Sequence, residues 1–314
     1  MAKYRNILPQ LNEFFLTDAG LETVLIFHEN VELPEFAAFY LLKDNEGTEV
    51  LRNYYRSFAE LARENKIGLI LESATWRANP DWAKKIGFTS EQLADLNRKS
   101  IELLTEIRDE YENEDSKMVI SGCIGPRGDG YVIGDAMTAQ EAEKYHSEQI
   151  EVFRETEADL VSAITMNYAE EAIGVARAAK NAGMPVVISF TVETDGNLPT
   201  GQTLKDAIET VDRETGDYPA YYMINCAHPT HFEKVLATDE DWTKRIGGLR
   251  TNASTKSHEE LNESETLDEG NPSELGRQHA PLLEKLENLN VLGGCCGTDI
   301  RHVREICMTM VARA

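Results

Sequence analysis

The chain has 314 residues, 41% of them hydrophobic, with 55 acidic against 31 basic side chains and a formal net charge of −24. This length can bury one large α/β barrel or two ordinary domains. The charge repels phosphate backbones and anionic lipid surfaces, so neither nucleic acid nor a membrane is an expected partner.

Short apolar runs rich in β-branched residues recur along the chain, separated by longer segments with helical periodicity. Strands are expected at 14–18, 68–72, 118–123, 160–165, 186–191, 221–226, 246–251 and 291–294. Helices are expected at 49–65, 90–112, 138–156, 170–182, 203–215, 231–236, 272–287 and 300–311. Strict alternation implies parallel pairing, because each helix returns the chain to the same end of the sheet. Eight repeats give a closed (β/α)8 TIM barrel as one domain over 1–314, with an open doubly wound sheet as the alternative layout.

In such a barrel the site lies where the strands end and the βα loops meet. Those ends carry polar or sulfur-bearing residues: Asp18, Glu72 with Ser73, Cys123, Thr165, Asn225 with Cys226, Asn252, and Cys295 with Cys296. Three connections after strands are long, 28–48, 125–137 and 252–271, and long loops on that face are lids or substrate walls. The third is polar and acidic, which fits a lid and a solvated surface loop equally.

Five cysteines is an odd number, and the N-terminal stretch lacks an apolar signal region with a small-residue cleavage site. No run of about 18 apolar residues occurs either, so a cytoplasmic protein is expected, with metal binding or buried thiols ahead of disulfides. The stretch VLGGCCGTD at 291–299 places two adjacent thiols at a strand end among glycines that let the chain curl. Cys226 ends another run, YYMINC, two strands away around the ring. Three thiolates with a fourth position open describe a catalytic zinc site. Cys123 reads as a packed thiol and Cys307 as core. His228 is expected to line the pocket, His231 to lie on a helix surface and His302 to sit in the first turn of the last helix.

The Asn-Cys strand end at 225–226, followed by GGCC at 293–296, resembles the homocysteine S-methyltransferase family. TDAGLETVL at 17–25, ESATWRANP at 72–80, GCIGPRGDGY at 122–131 and ISFTVETDGNLPTGQTL at 188–204 resemble its other strand ends, so the similarity covers nearly the whole chain. It implies a TIM barrel with zinc on Cys226, Cys295 and Cys296. It further implies that Asp18, Ala19 and Thr165 meet the acceptor and that Asn225 supports the site. The expected partners are a small-molecule thiol acceptor and a methyl donor. Where the family usually has Glu-Thr after strand 4, this chain has Ile164-Thr165, so the pairing with the homocysteine amino group would have to pass to Glu22, Glu72 or Glu193.

Zinc coordination deprotonates a thiol, and an all-sulfur site suits alkyl transfer better than hydrolysis. The expected activity is transfer of methyl from a sulfonium such as S-methylmethionine or S-adenosylmethionine to homocysteine or a related thiol or selenol, giving methionine. Trp76, Tyr131 or Tyr168 could face the donor cation. The alternatives are a zinc barrel hydrolase or deaminase, a non-catalytic or redox-sensing zinc barrel, and a methyltransferase for another thiol. No cobalamin motif is visible, and the outer helices of a parallel barrel could pair copies into a homo-oligomer.

Overall fold

Eight parallel strands close into one barrel in sequence order. They are β1 (Phe15–Leu16), β2 (Gly68–Glu72), β3 (Met118–Ile124), β4 (Leu160–Met166), β5 (Val186–Thr191), β6 (Tyr221–Ala227), β7 (Ile246–Thr251) and β8 (Val291–Gly294). The computed structural model describes residues 2–264 and 266–313; the two end positions of the expected 1–314 domain and residue 265 of the third long loop lie outside them. This is the TIM barrel expected from the alternation, and β1 pairs with both β2 and β8 to close it.

The helices that alternate with the strands are α1 (Asn45–Asn65), α2 (Ser90–Tyr111), α3 (Ala139–Arg154), α4 (Ala169–Ala182), α5 (Leu204–Thr215), α6 (Pro229–Phe232), α7 (Pro272–Lys285) and α8 (Ile300–Val311), and shorter helices lie in the connections. Their starts are written locally. Thr89 and Thr138 each form a capping box, with Gln92 and Glu141 respectively, satisfying backbone N–H groups that the helix itself leaves free. Gly183 and Gly216 end α4 and α5 with positive φ, the conformation that glycine takes without a Cβ penalty. Among the described residues no helix is long and apolar enough to cross a membrane.

Two elements differ from expectation. β1 shrinks to two residues, although Thr17 N still donates to Leu292 O and Gly294 N donates to Asp18 O. The helix expected at 231–236 is a single turn starting earlier, because Pro229 presets the first helical φ directly after His228.

Period-2 alternation sorts the barrel interior into layers. The lower layer is an apolar cluster that includes Phe15, Ile70, Val119, Leu160, Val187 and Val291, closed from below by Leu8. Two residues further along the strands the interior turns polar: Thr17, Glu72, Ser121, Ser162, Ser189, Asn225 and Arg250, all buried. The register puts Glu72 beside Ser121, and Arg250 between Asn225 and Gly293. Gly293 leaves room in that layer, since a Cβ there would lie 1.9 Å from Thr17 Oγ1.

Candidate active site

Above the polar layer, at the carboxyl ends of the strands, opens a cavity of about 980 Å³. All three long connections wall it, through Phe36, through Asp129 and Tyr131, and through His258 and Leu267. The acidic third loop is therefore a cavity wall; it carries a short helix, His258–Asn262, started by a Ser257–Glu260 capping box.

The three expected thiols converge. Cys226, Cys295 and Cys296 present sulfurs within 4.8 Å of one another, a group able to hold a metal ion, and all three line the cavity. Cys226 reaches its place through a positive φ of 54°, costly for a non-glycine residue and held by the contacts around it. Its carbonyl accepts hydrogen bonds from Asn252 Nδ2 at 3.0 Å and from His258 Nε2 at 2.6 Å. Among the glycines of the VLGGCCGTD stretch only Gly297 has positive φ; Gly293 and Gly294 are required by close approach of neighbouring atoms instead.

Cys226 and Cys295 are joined in a disulfide, with their Cα atoms 5.3 Å apart, while Cys296 is free with its sulfur 4.0 Å from that of Cys226. The sequence places metal binding or buried thiols ahead of disulfides; the three thiols do form a group able to hold a metal ion, and two of them are bonded to each other. Backbones that aim two sulfurs at one ion also bring them to the Cα spacing of a disulfide. Tyr131 Oη lies 3.5 Å from Cys296 Sγ, and its ring packs on His258 at 4.3 Å between centroids.

Asp18 is buried and its carboxylate is engaged. Oδ1 accepts from Arg250 Nη2 at 2.5 Å and Oδ2 from Tyr54 Oη at 3.2 Å. Arg250 also donates to the carbonyls of Gly294 and Ala19. Burial raises the Asp18 carboxyl while Arg250 and Tyr54 pull it back down. Burial opposes the charge on Arg250, and Asp18 and Glu72 outweigh it, leaving the guanidinium more firmly protonated than usual. Sequence reading missed Arg250. The signal was a lone charge near the end of the apolar run IGGLRT, two positions on from Gly248, where strand periodicity turns it inward.

Asn225 is fully buried and its side-chain amide is spent on neighbours. Its Oδ1 accepts from Thr165 N at 2.9 Å and from Ser189 Oγ at 2.6 Å, and its Nδ2 donates to Thr165 Oγ1 at 2.8 Å. These bonds hold Thr165 at a positive φ of 66°. Ala19, Ile164 and Thr165 line the cavity. Trp76 lines it too, its indole N–H donating to Ile164 O at 3.2 Å.

The remaining acids and histidines divide clearly. Burial pushes both Glu22 and Glu72 up to about 7. Glu193 faces His258 Nδ1 at 3.2 Å. His228 does not line the cavity: it caps α6 through Thr230, and burial lowers it to about 4. His231 bonds to Thr255 O, and His302, as expected, sits in the first turn of α8, bonded to Asp299 and Glu269 O. Cys123 lines the cavity, whereas Cys307 is core. Tyr168 lies outside the cavity, its Oη accepting from Met137 N.

The model of the family described as homocysteine S-methyltransferase matches residues 15–310. A selenocysteine Se-methyltransferase from Brassica oleracea var. italica is 23% identical over 98% of this chain and 92% of its own length. Homocysteine S-methyltransferase 2 from Arabidopsis thaliana is 23% identical over 98% of this chain and 96% of its own. The homocysteine methyltransferase MmuM from Escherichia coli superposes in its oxidized form with a TM-score of 0.74 and in its metallated form with 0.70. Each of the two is 18% identical and covers 99% of both chains. With a match running from β1 into α8, the chain belongs to the homocysteine S-methyltransferase family and is a methyltransferase.

Proposed function

We propose that the protein moves a methyl group from a sulfonium donor, S-methylmethionine or S-adenosylmethionine, to homocysteine or a related thiol or selenol, with zinc held by reduced Cys226, Cys295 and Cys296. The observation that carries this reading is the meeting of three sulfurs from two strand ends at the wall of the cavity at the barrel mouth. Three thiolates would suit a soft ion such as zinc and would leave a fourth ligand to be supplied by the acceptor. Zinc, when bound, supplies the charge that deprotonates the acceptor thiol and keeps its sulfur nucleophilic.

The chain's own residues set the geometry. A new carbon–sulfur bond forms as the donor's bond from methyl to sulfonium breaks; the donor leaves as a neutral thioether and the thiol proton passes to solvent. Glu22, Asp129 and Glu193 give the wall the negative charge that favours a cationic donor, and the rings of Trp76 and Tyr131 offer it π faces. Asp18 serves the acceptor by fixing Arg250, Asn225 by fixing Thr165, while Ala19 and Thr165 form the surface the acceptor meets. The three long connections wall the cavity, and displacing water as the substrates fill it strengthens each of these interactions.

The Cys226–Cys295 disulfide must be reduced before both sulfurs can serve an ion, and it favours one rival, a redox-sensing zinc barrel. The test is elemental analysis of the reduced protein, followed by incubation with homocysteine and each donor and detection of methionine. Cys296→Ser should lose most of the zinc and of the turnover; retention of both refutes the mechanism. Zinc without turnover on any thiol selects the rival.

A further inference from the structure

Besides the Asp18–Arg250 pair, the polar layer of the barrel holds a second buried acid, Glu72, which Arg250, Ser121 and Ser162 hold toward its charged form. Asp18 and Arg250 neutralise each other. Glu72, 4% exposed at the end of β2, has an Oε2 atom that is buried with no hydrogen-bond partner among the described residues. Its surroundings are the hydroxyls of Ser121 and Ser162, themselves 2.7 Å apart. A buried carboxylate oxygen left without a donor is costly, and natural interiors keep such a group where a ligand completes it.

The geometry points to what completes it. Glu72 faces the cavity across β3 from Ile164, strands two apart in a sheet being separated by roughly 10 Å. Ile164 offers an acceptor only apolar contact, and Glu193 and Glu22, the other two acids that could take over its family role, are less suited to a buried cation. Glu193 already faces His258 with a side chain 35% exposed. Glu22 belongs to the first loop rather than to the strand layer, one residue into the short helix Leu21–Thr23. Glu72 alone of the three is fixed on a strand and shares its layer with the Asp18–Arg250 pair. An amino acid brings an ammonium and a carboxylate separated by one carbon, matching a carboxylate with one unbonded oxygen set near a guanidinium.

We propose that Glu72 binds the α-ammonium of the thiol acceptor, so that the protein selects an α-amino acid thiol over a simple thiol through β2 rather than β4. The inference rests on the methyltransferase reading above. Burial of Glu72 agrees with it, since desolvation raises its carboxyl and an ammonium beside it favours the ionised form.

The test uses the reduced, zinc-loaded full chain with S-methylmethionine saturating, and compares homocysteine with 4-mercaptobutanoate, which lacks only the amino group. Wild type should prefer homocysteine. Glu72→Gln should raise KM for homocysteine about 30- to 100-fold, the loss typical of a broken buried charge contact. It should leave KM for 4-mercaptobutanoate and for the donor within about threefold and zinc content unchanged. If Glu72→Gln fails to fold, Glu72→Asp, which keeps the charge and shortens its reach, should show the same selective rise at smaller size. An active wild type whose Glu72 variants keep the preference, or lose both thiols equally, or weaken the donor instead, overturns this inference and leaves the methyltransferase reading standing. A wild type that methylates neither thiol with any donor overturns both.

Discussion

Replacing Arg250 by Met tests the floor of the site most directly. The change leaves Asp18, 4% exposed, with Tyr54 as its remaining side-chain partner, and strips the carbonyls of Gly294 and Ala19 of a donor. Breaking one side of a buried ion pair costs about 3–5 kcal/mol, whereas replacing both partners with neutral groups is often close to neutral. At about 2.1 cal/mol/K per residue, a chain of 314 residues loses roughly 1.5 °C of Tm for each kcal/mol. Arg250→Met should therefore lower Tm by about 5–8 °C, and adding Asp18→Asn should restore at least half of that. The assay is scanning calorimetry of the three variants and wild type at pH 7.5, with the fully reduced protein throughout. A single variant within about 1 °C of wild type, or a double variant no more stable than the single, would refute the claim that the pair is mutually required.

Two further outcomes follow from the same layer and its surroundings. Asn225→Ala removes the amide that holds Thr165 at positive φ and leaves Thr165 N and Ser189 Oγ without their acceptor; it should destabilise by about 2–4 kcal/mol in denaturant titration and cut kcat/KM at least tenfold. Unchanged values for both would show that Thr165 keeps its conformation unaided. His279, fully buried, is lowered from 6.5 to about 4 by burial, so the unfolded chain binds more protons than the folded one between those values. Its contribution to stability is intact above pH 6.5 and is lost as pH falls toward 4, about 2 kcal/mol by pH 5. His279→Leu should be less sensitive than wild type to the step from pH 7.5 to 5 by that amount, and an equal loss in both proteins would contradict the assignment.

The sequence by itself determined the barrel, because alternation of apolar runs with helical segments has few solutions once each helix must return the chain to the same end of a parallel sheet. It also determined which ends carry sulfur, since a thiol pair among glycines after an apolar run can be read in one dimension, as can the Asn-Cys pair ending β6. Other features belong to the tertiary structure. That Cys226 and Cys295 sit close enough to bond each other depends on two backbones that meet only when the ring closes. That Asp18 faces Arg250, 232 positions away, depends on the same closure, which seats β1 near β7 across the narrow β8. A carboxylate such as Glu72 looks in the sequence like any other strand-end acid. That its Oε2 atom has no hydrogen-bond partner among the described residues emerges only when every neighbouring donor in the layer is assigned, because hydrogen-bond satisfaction is a property of three-dimensional neighbours and leaves no local trace in composition or period.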